Sequence, residues 1–121
     1  MSAVLDASAL LAFLLGEKGQ DIVLEALPNG VVGAANWAEA AQKVTAHGGD
    51  WAIATALIKS YGVSVEPVSR ADAERAAAIW YAGSPLSLGD RLCLALADRL
   101  EAKVFTADHA WGESEQIIQI R

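Results

Sequence analysis

Residues 3–15 read AVLDASALLAFLL, a short apolar run, a single acid, and then a longer apolar stretch. Ala3-Val4-Leu5 has the length of a buried strand, and Asp6 closes it. Ala7 to Leu15 has the composition of a helix that Gly16 ends. Strand, acid, helix is the order in which an α/β domain places a side chain at the outer end of a parallel strand, where ligands sit.

Outward from this unit the alternation continues. Gln20 to Leu27 reads as a second helix, stopped by Pro28-Asn29-Gly30, and Val31-Val32-Gly33 as a second strand. Helices are predicted over Asn36–His47 and, after Gly48-Gly49, from a cap at Asp50 through Tyr61. Val63 to Val68 is a third strand, and Ser69 with Asp72 forms a capping pattern for a helix reaching about Tyr81. Gly83-Ser84-Pro85 is a loop, and Ser87 opens a helix over Leu88–Glu101. Leu88, Leu92, Ala95, Leu96 and Leu100 there recur at helical spacing, which predicts a broad buried face. Lys103–Thr106 is a fourth strand, Asp108–Trp111 a helical turn, and Ile117–Ile120 an edge strand. Strands separated by helices imply a parallel sheet covered on both faces, with right-handed crossovers.

The 121 residues fit one domain, 1–121, with no linker, repeat or low-complexity tract. Cys93 is the sole cysteine, so an internal disulfide is impossible; it reads as a small buried hydrophobe in a reducing, cytoplasmic setting. The apolar run Ala7–Leu15 is too short to span a bilayer, and no Lys or Arg precedes it as in a secretory leader. The net charge of −6 argues against a non-specific nucleic-acid binder. It is compatible with an acidic site that a bound cation neutralises, and with a basic partner.

Four acids share an address in this layout. Asp6 ends the first strand, Asp108 lies two residues past the fourth, and Glu39 and Asp90 fall in the first turns of their helices. Each alone has a structural reading, because Asp6 and Asp108 suit helix caps and Asn36-x-x-Glu39 and Ser87-x-x-Asp90 match capping patterns. Together, four carboxylates at one sheet edge repel one another, and a hard divalent cation relieves that repulsion. Mg²⁺ or Mn²⁺ fits an all-oxygen set. His47 and His109 have no ligand spacing, so zinc is not indicated. Such an ion activates water and stabilises charge on a phosphodiester. Ser8 and Thr106 are placed either to orient a ligating acid or to cap turns. Arg91 is placed either to reach a substrate phosphate or to pair with a neighbouring acid. Trp37, Trp51 and Trp80 are predicted on three helices as core aromatics, with Trp37 and Trp51 also a possible partner or dimer surface.

The segments Val4-Leu5-Asp6-Ala7-Ser8-Ala9, Asn36-Trp37-Ala38-Glu39-Ala40, Leu86-Ser87-Leu88-Gly89-Asp90-Arg91 and Thr106-Ala107-Asp108 carry a resemblance in order and spacing. In these the chain resembles the PIN-domain ribonucleases, and among them the VapC-like toxins of type II toxin–antitoxin pairs. The resemblance implies a three-layer α/β/α sandwich around a mainly parallel sheet. It implies that Asp6, Glu39, Asp90 and Asp108 bind Mg²⁺ or Mn²⁺ for endonucleolytic cleavage of RNA. It also implies a homodimer and a VapB-like antitoxin partner. Where some relatives carry a further acid three residues after Asp108, this chain has Trp111, which reads as core. Two rivals within reach are an RNA-processing PIN nuclease without antitoxin and a non-catalytic interaction module. A phosphoacceptor signalling domain is excluded, since it needs paired acids after the first strand and a late Lys, and no Lys follows Lys103.

Overall fold

Successive side chains of a strand face opposite ways, and three of the short strands here use that period to feed two separate cores. Val4, Val31 and Val104 pack on one face of the sheet with Cys93, Leu96, Ala97 and Trp111. Their neighbours Leu5, Val32 and Phe105 pack on the other, with Leu10, Val23, Leu27 and Ile58. Removing a side chain such as Leu10 or Leu27 from water stabilises the fold by about 1.5–3 kcal/mol each, and both are fully buried.

The computed structural model describes residues 2–121. Five strands, β1 (Ala3–Leu5), β2 (Gly30–Gly33), β3 (Ser64–Glu66), β4 (Lys103–Thr106) and β5 (Ile117–Gln119), form one sheet in the order β3-β2-β1-β4-β5. All four pairings are parallel, and Val4 stands opposite Val31 on one side and Val104 on the other. The helices are α1 (Ala7–Leu15), α2 (Gln20–Ala26), α3 (Ala34–Ala46), α4 (Trp51–Ser60), α5 (Arg70–Ala78) and α6 (Leu88–Leu100). One core joins the sheet to α1–α4 and the other joins it to α6, with α5 packed against α6; the result is a three-layer α/β/α sandwich. No helix among the described residues is long and apolar enough to cross a membrane.

Two turns of local chemistry fix the ends that matter. α1 stops at Gly16, whose φ of 67° places its N–H on the Ala12 carbonyl, a left-handed cap that glycine adopts without Cβ strain. α6 starts at Ser87, where Ser87 and Asp90 bond reciprocally to each other's backbone N–H.

The structure departs from the sequence reading at several boundaries. α3 begins at Ala34, two residues before the expected cap at Asn36, because Gly33 passes directly from β2 into the helix in an extended conformation. α5 ends at Ala78, short of Tyr81, so Trp80 leaves the helix and is 57% exposed rather than part of the core. β3 is confined to Ser64–Glu66. Leu88 is 58% exposed, since it occupies the first position of α6, beyond the edge of the layer that Leu96 fills. Trp37 and Trp51 are half-buried and stack edge to face, with ring centroids 4.8 Å apart.

Candidate carboxylate site

Strand order reverses beside β1. From β1 the chain proceeds outward to β2 and β3, then returns to the other flank of β1 as β4. The carboxyl ends of β1 and β4 therefore flank the switch point, where open parallel sheets bind their ligands. Asp6 leaves β1 there, with its N–H on the Phe105 carbonyl of β4 at 3.1 Å.

Asp6 is only 4% exposed, and its carboxylate is held on both oxygens. Oδ1 accepts from Ser8 Oγ at 2.7 Å and from the Ala9 N–H at 2.8 Å, and Oδ2 accepts from Thr106 Oγ1 at 2.6 Å. The Ala9 bond is the N-terminal cap of α1. Burial raises the Asp6 pKa above the ordinary carboxylate value; the three hydrogen bonds oppose this, and the negative charge of Asp90 adds to it. Ser8 and Thr106 thus both orient this acid. Ser8 Oγ also accepts from the Ala107 N–H, and Thr106 Oγ1 from the Asp108 N–H.

Asp90 is half-buried in the first turn of α6, where its Oδ2 accepts from the Ser87 N–H at 2.9 Å. Glu39 lies in the second turn of α3 rather than the first, and Asn36 is not its cap. Asn36 is instead an interior residue, 2% exposed, whose Nδ2 donates to Glu39 Oε1 at 3.0 Å and to the Gly89 carbonyl at 3.3 Å. Asp108 caps the single turn His109–Trp111 through Oδ1 and the Ala110 N–H at 2.9 Å. The capping reading therefore describes Asp6, Asp90 and Asp108, and it fails for Glu39.

The acids are joined by charge and by shared hydrogen bonds. The Cys93 thiol, one turn along α6 from Asp90, is pushed well up by burial and further by the charges of Asp6, Asp90 and Glu39. Three carboxylates thus act on one buried point. Asp108 is linked to Asp6 through Thr106, which accepts from one and donates to the other. With the side chains as they stand, no three of the described His, Cys, Asp and Glu residues are close enough together to enclose a metal ion. The donor chemistry is nevertheless all-oxygen, and the mutual repulsion of Asp6 and Asp90 is of the kind a hard cation relieves.

Arg91 forms no ion pair with a neighbouring acid among the described residues. Its Nη1 donates to the Ala76 carbonyl at 2.7 Å, tying α6 to the end of α5. Three positioning residues escaped the sequence reading. Asn36 matched a capping pattern, Gly89 entered only as part of the Leu86–Arg91 segment, and Gln119 carries no motif of its own. A Cβ on Gly89 would overlap Glu39 Oε1. Gln119 Nε2 donates to the Asp108 carbonyl at 2.9 Å and to that of Gly112 at 2.8 Å.

A family model described as the PIN domain matches residues 3–113. A chain of a toxin–antitoxin complex from Klebsiella pneumoniae has a similar structure, with a TM-score of 0.80 at 21% identity, covering 99% of this chain and 98% of that one. Mycobacterium tuberculosis VapC20, described as a toxin that cleaves the sarcin–ricin loop, has a TM-score of 0.74 at 19% identity, covering 94% of this chain and 98% of that one. None of the curated proteins matches the sequence at a significant level.

Proposed function

The chain belongs to the PIN domain family, and from that premise we propose that it is a Mg²⁺- or Mn²⁺-dependent endoribonuclease, the toxin of a VapBC-type toxin–antitoxin pair. The observation that carries this reading is Asp6, a buried carboxylate at the strand-order switch, gripped on both oxygens and raised in pKa with Asp90 contributing. A carboxylate so placed costs stability unless a cation offsets its charge.

Asp6, Glu39 and Asp90 would hold the ion, with Asp108 completing the set. When bound, the ion supplies a water of lowered pKa and stabilises charge on the phosphodiester. The chain's own residues supply position. Ser8 and Thr106 fix both oxygens of Asp6, Asn36 fixes Oε1 of Glu39, and the Ser87 N–H fixes Oδ2 of Asp90. Gln119 pins the backbone that carries Asp108. Hydrogen bonds of this kind keep ligating acids from collapsing onto one another or turning outward.

The toxin reading draws on the two similar structures, one from a toxin–antitoxin complex and one an RNA-cleaving toxin. It carries with it a VapB-like antitoxin, an RNA substrate and a homodimer. The test is incubation of the purified chain with single-stranded RNA in Mg²⁺ or EDTA, beside Asp6→Asn and Asp90→Asn. Cleavage by the natural chain in Mg²⁺ alone, absent from both variants, is expected. Undiminished cleavage by both variants ends the proposal.

A further inference from the structure

One surface groove shares Ser8 with the carboxylate site and is lined by Lys43, His47 and Arg121 together with the acid Glu17. It has a volume of about 220 Å³, and Ser8 in its lining is the same Ser8 whose hydroxyl donates to Asp6 at 2.7 Å. Leu11 and Leu15 of α1 give it apolar surface, and Lys43 and His47 line it from α3 and its C-terminal cap. Glu39, Lys43 and His47 follow one another at four-residue spacing, so one row along α3 leads from the carboxylates into the groove.

The charges in the groove are not equally available. Arg121 is drawn to Glu17 at 3.7 Å and donates to the Lys18 carbonyl at 2.9 Å. Lys43 is exposed and has no ion pair among the described residues, although the chain carries fifteen Asp and Glu against nine Lys and Arg. His47 Nδ1 lies 2.8 Å from the Lys43 carbonyl, which can only accept, so Nδ1 carries the proton. In the neutral ring Nε2 is then an acceptor.

We propose that this groove holds the RNA strand next to the cleaved phosphate, with Lys43 Nζ binding a backbone phosphate and His47 Nε2 accepting a hydrogen bond from a ribose 2′-hydroxyl. The proposal rests on the nuclease reading above and gives that site a means of preferring RNA to DNA. An ammonium binds the phosphate of either polymer. Along the sugar–phosphate backbone an acceptor nitrogen gains only from the 2′-hydroxyl, the donor that DNA lacks. The apolar surface of Leu11 and Leu15 suits the apolar face of a sugar rather than a second charge.

The test is fluorescence anisotropy with a labelled 12-nucleotide single-stranded RNA and the DNA strand of the same sequence, in Mg²⁺, all in an Asp90→Asn background so that the strand stays whole. Lys43→Ala is expected to weaken RNA and DNA alike by about tenfold and to reduce the salt slope of log K by about 0.7. His47→Ala is expected to weaken RNA by about three- to tenfold and leave DNA unchanged. Lys59→Ala, an exposed lysine on α4 that lines a different groove, should change neither. Full affinity in Lys43→Ala, or an equal loss in Lys59→Ala, overturns the phosphate assignment. An equal loss for RNA and DNA in His47→Ala overturns the hydroxyl assignment. Any of these with cleavage by the natural chain intact leaves the nuclease reading standing, whereas no cleavage and no RNA binding by the natural chain overturns both.

Discussion

Glu39 and Gly89 occupy one space: the carboxylate oxygen Oε1 of Glu39 sits where a β-carbon on Gly89 would stand. Asn36 seals the contact, donating to that same oxygen and to the Gly89 carbonyl. α3 and α6 therefore meet through a glycine, an amide and an acid, one residue from Asp90. Gly89 is in ordinary helical conformation, so its lack of a side chain serves the neighbour rather than the backbone.

Gly89→Ala separates activity from stability. Alanine is favoured over glycine in a helix by up to about 1 kcal/mol, and the group it displaces is the flexible end of Glu39. Thermal unfolding is expected to stay level or rise slightly. Cleavage of RNA should fall by at least about tenfold as Glu39 swings out of place. Full activity in this variant would remove Glu39 from the site.

Thr106→Val tests the grip on Asp6. Thr106 is fully buried, donates to Asp6 Oδ2 and accepts from the Asp108 N–H, so valine leaves two polar groups without a partner. A loss of about 1–3 kcal/mol is expected in urea unfolding at neutral pH. The threonine bond also holds the Asp6 pKa down against burial, so its removal moves that pKa further up. Activity that needs ionised Asp6 then requires a more alkaline buffer, and the acid limb of the pH–rate profile moves to higher pH. An unmoved limb would show that this bond does not set the ionisation of Asp6.

The sequence revealed most where signals are local. Asp6 and Ser87 announced their helices because a cap lies within three residues of the N–H it binds. The strands showed because Val4/Leu5 and Val31/Val32 must serve two cores at once. Asn36 misled because asparagine three residues before a glutamate has the spacing of a cap, while it instead bonds the Glu39 carboxylate and the carbonyl of Gly89, 53 positions away. Arg91 and Gln119 were obscure for the same reason, since the carbonyls they bind are brought to them only by tertiary packing. Trp80 and Leu88 were read as core from their apolar character, but the chain leaves α5 before the first and enters α6 at the second.

Cys93 should be inert in the folded protein. The thiol is buried, and burial followed by the charges of Asp6, Asp90 and Glu39 disfavours the thiolate that reacts. A disulfide reagent at pH 8 is expected to modify no thiol in native buffer and one per chain in concentrated urea. Rapid modification of the native chain would mean that α6 opens readily beneath the carboxylates.

The Asp72–Arg99 pair sets a pH window of its own. Asp72 is buried, and Arg99 grips it with Nε on Oδ1 at 2.9 Å and Nη2 on Oδ2 at 3.0 Å. That pairing first, and the Ser69 bonds with it, hold the Asp72 carboxyl below its ordinary value against the opposing effect of burial. An acid whose folded pKa is depressed stabilises the fold fully above its unfolded pKa of about 3.9 and loses that contribution as the pH falls through the folded value. Asp72→Asn should therefore lower Tm by several degrees at pH 7, on the order of 5 °C, and by progressively less as the pH drops below about 4. Ser69→Ala, which removes the cap of α5 but leaves the Arg99 pair, should cost about 1 kcal/mol with little change over the same range. If the cost of Asp72→Asn were the same at pH 3 as at pH 7, the carboxylate would be acting through its shape in the capping box and not through its charge.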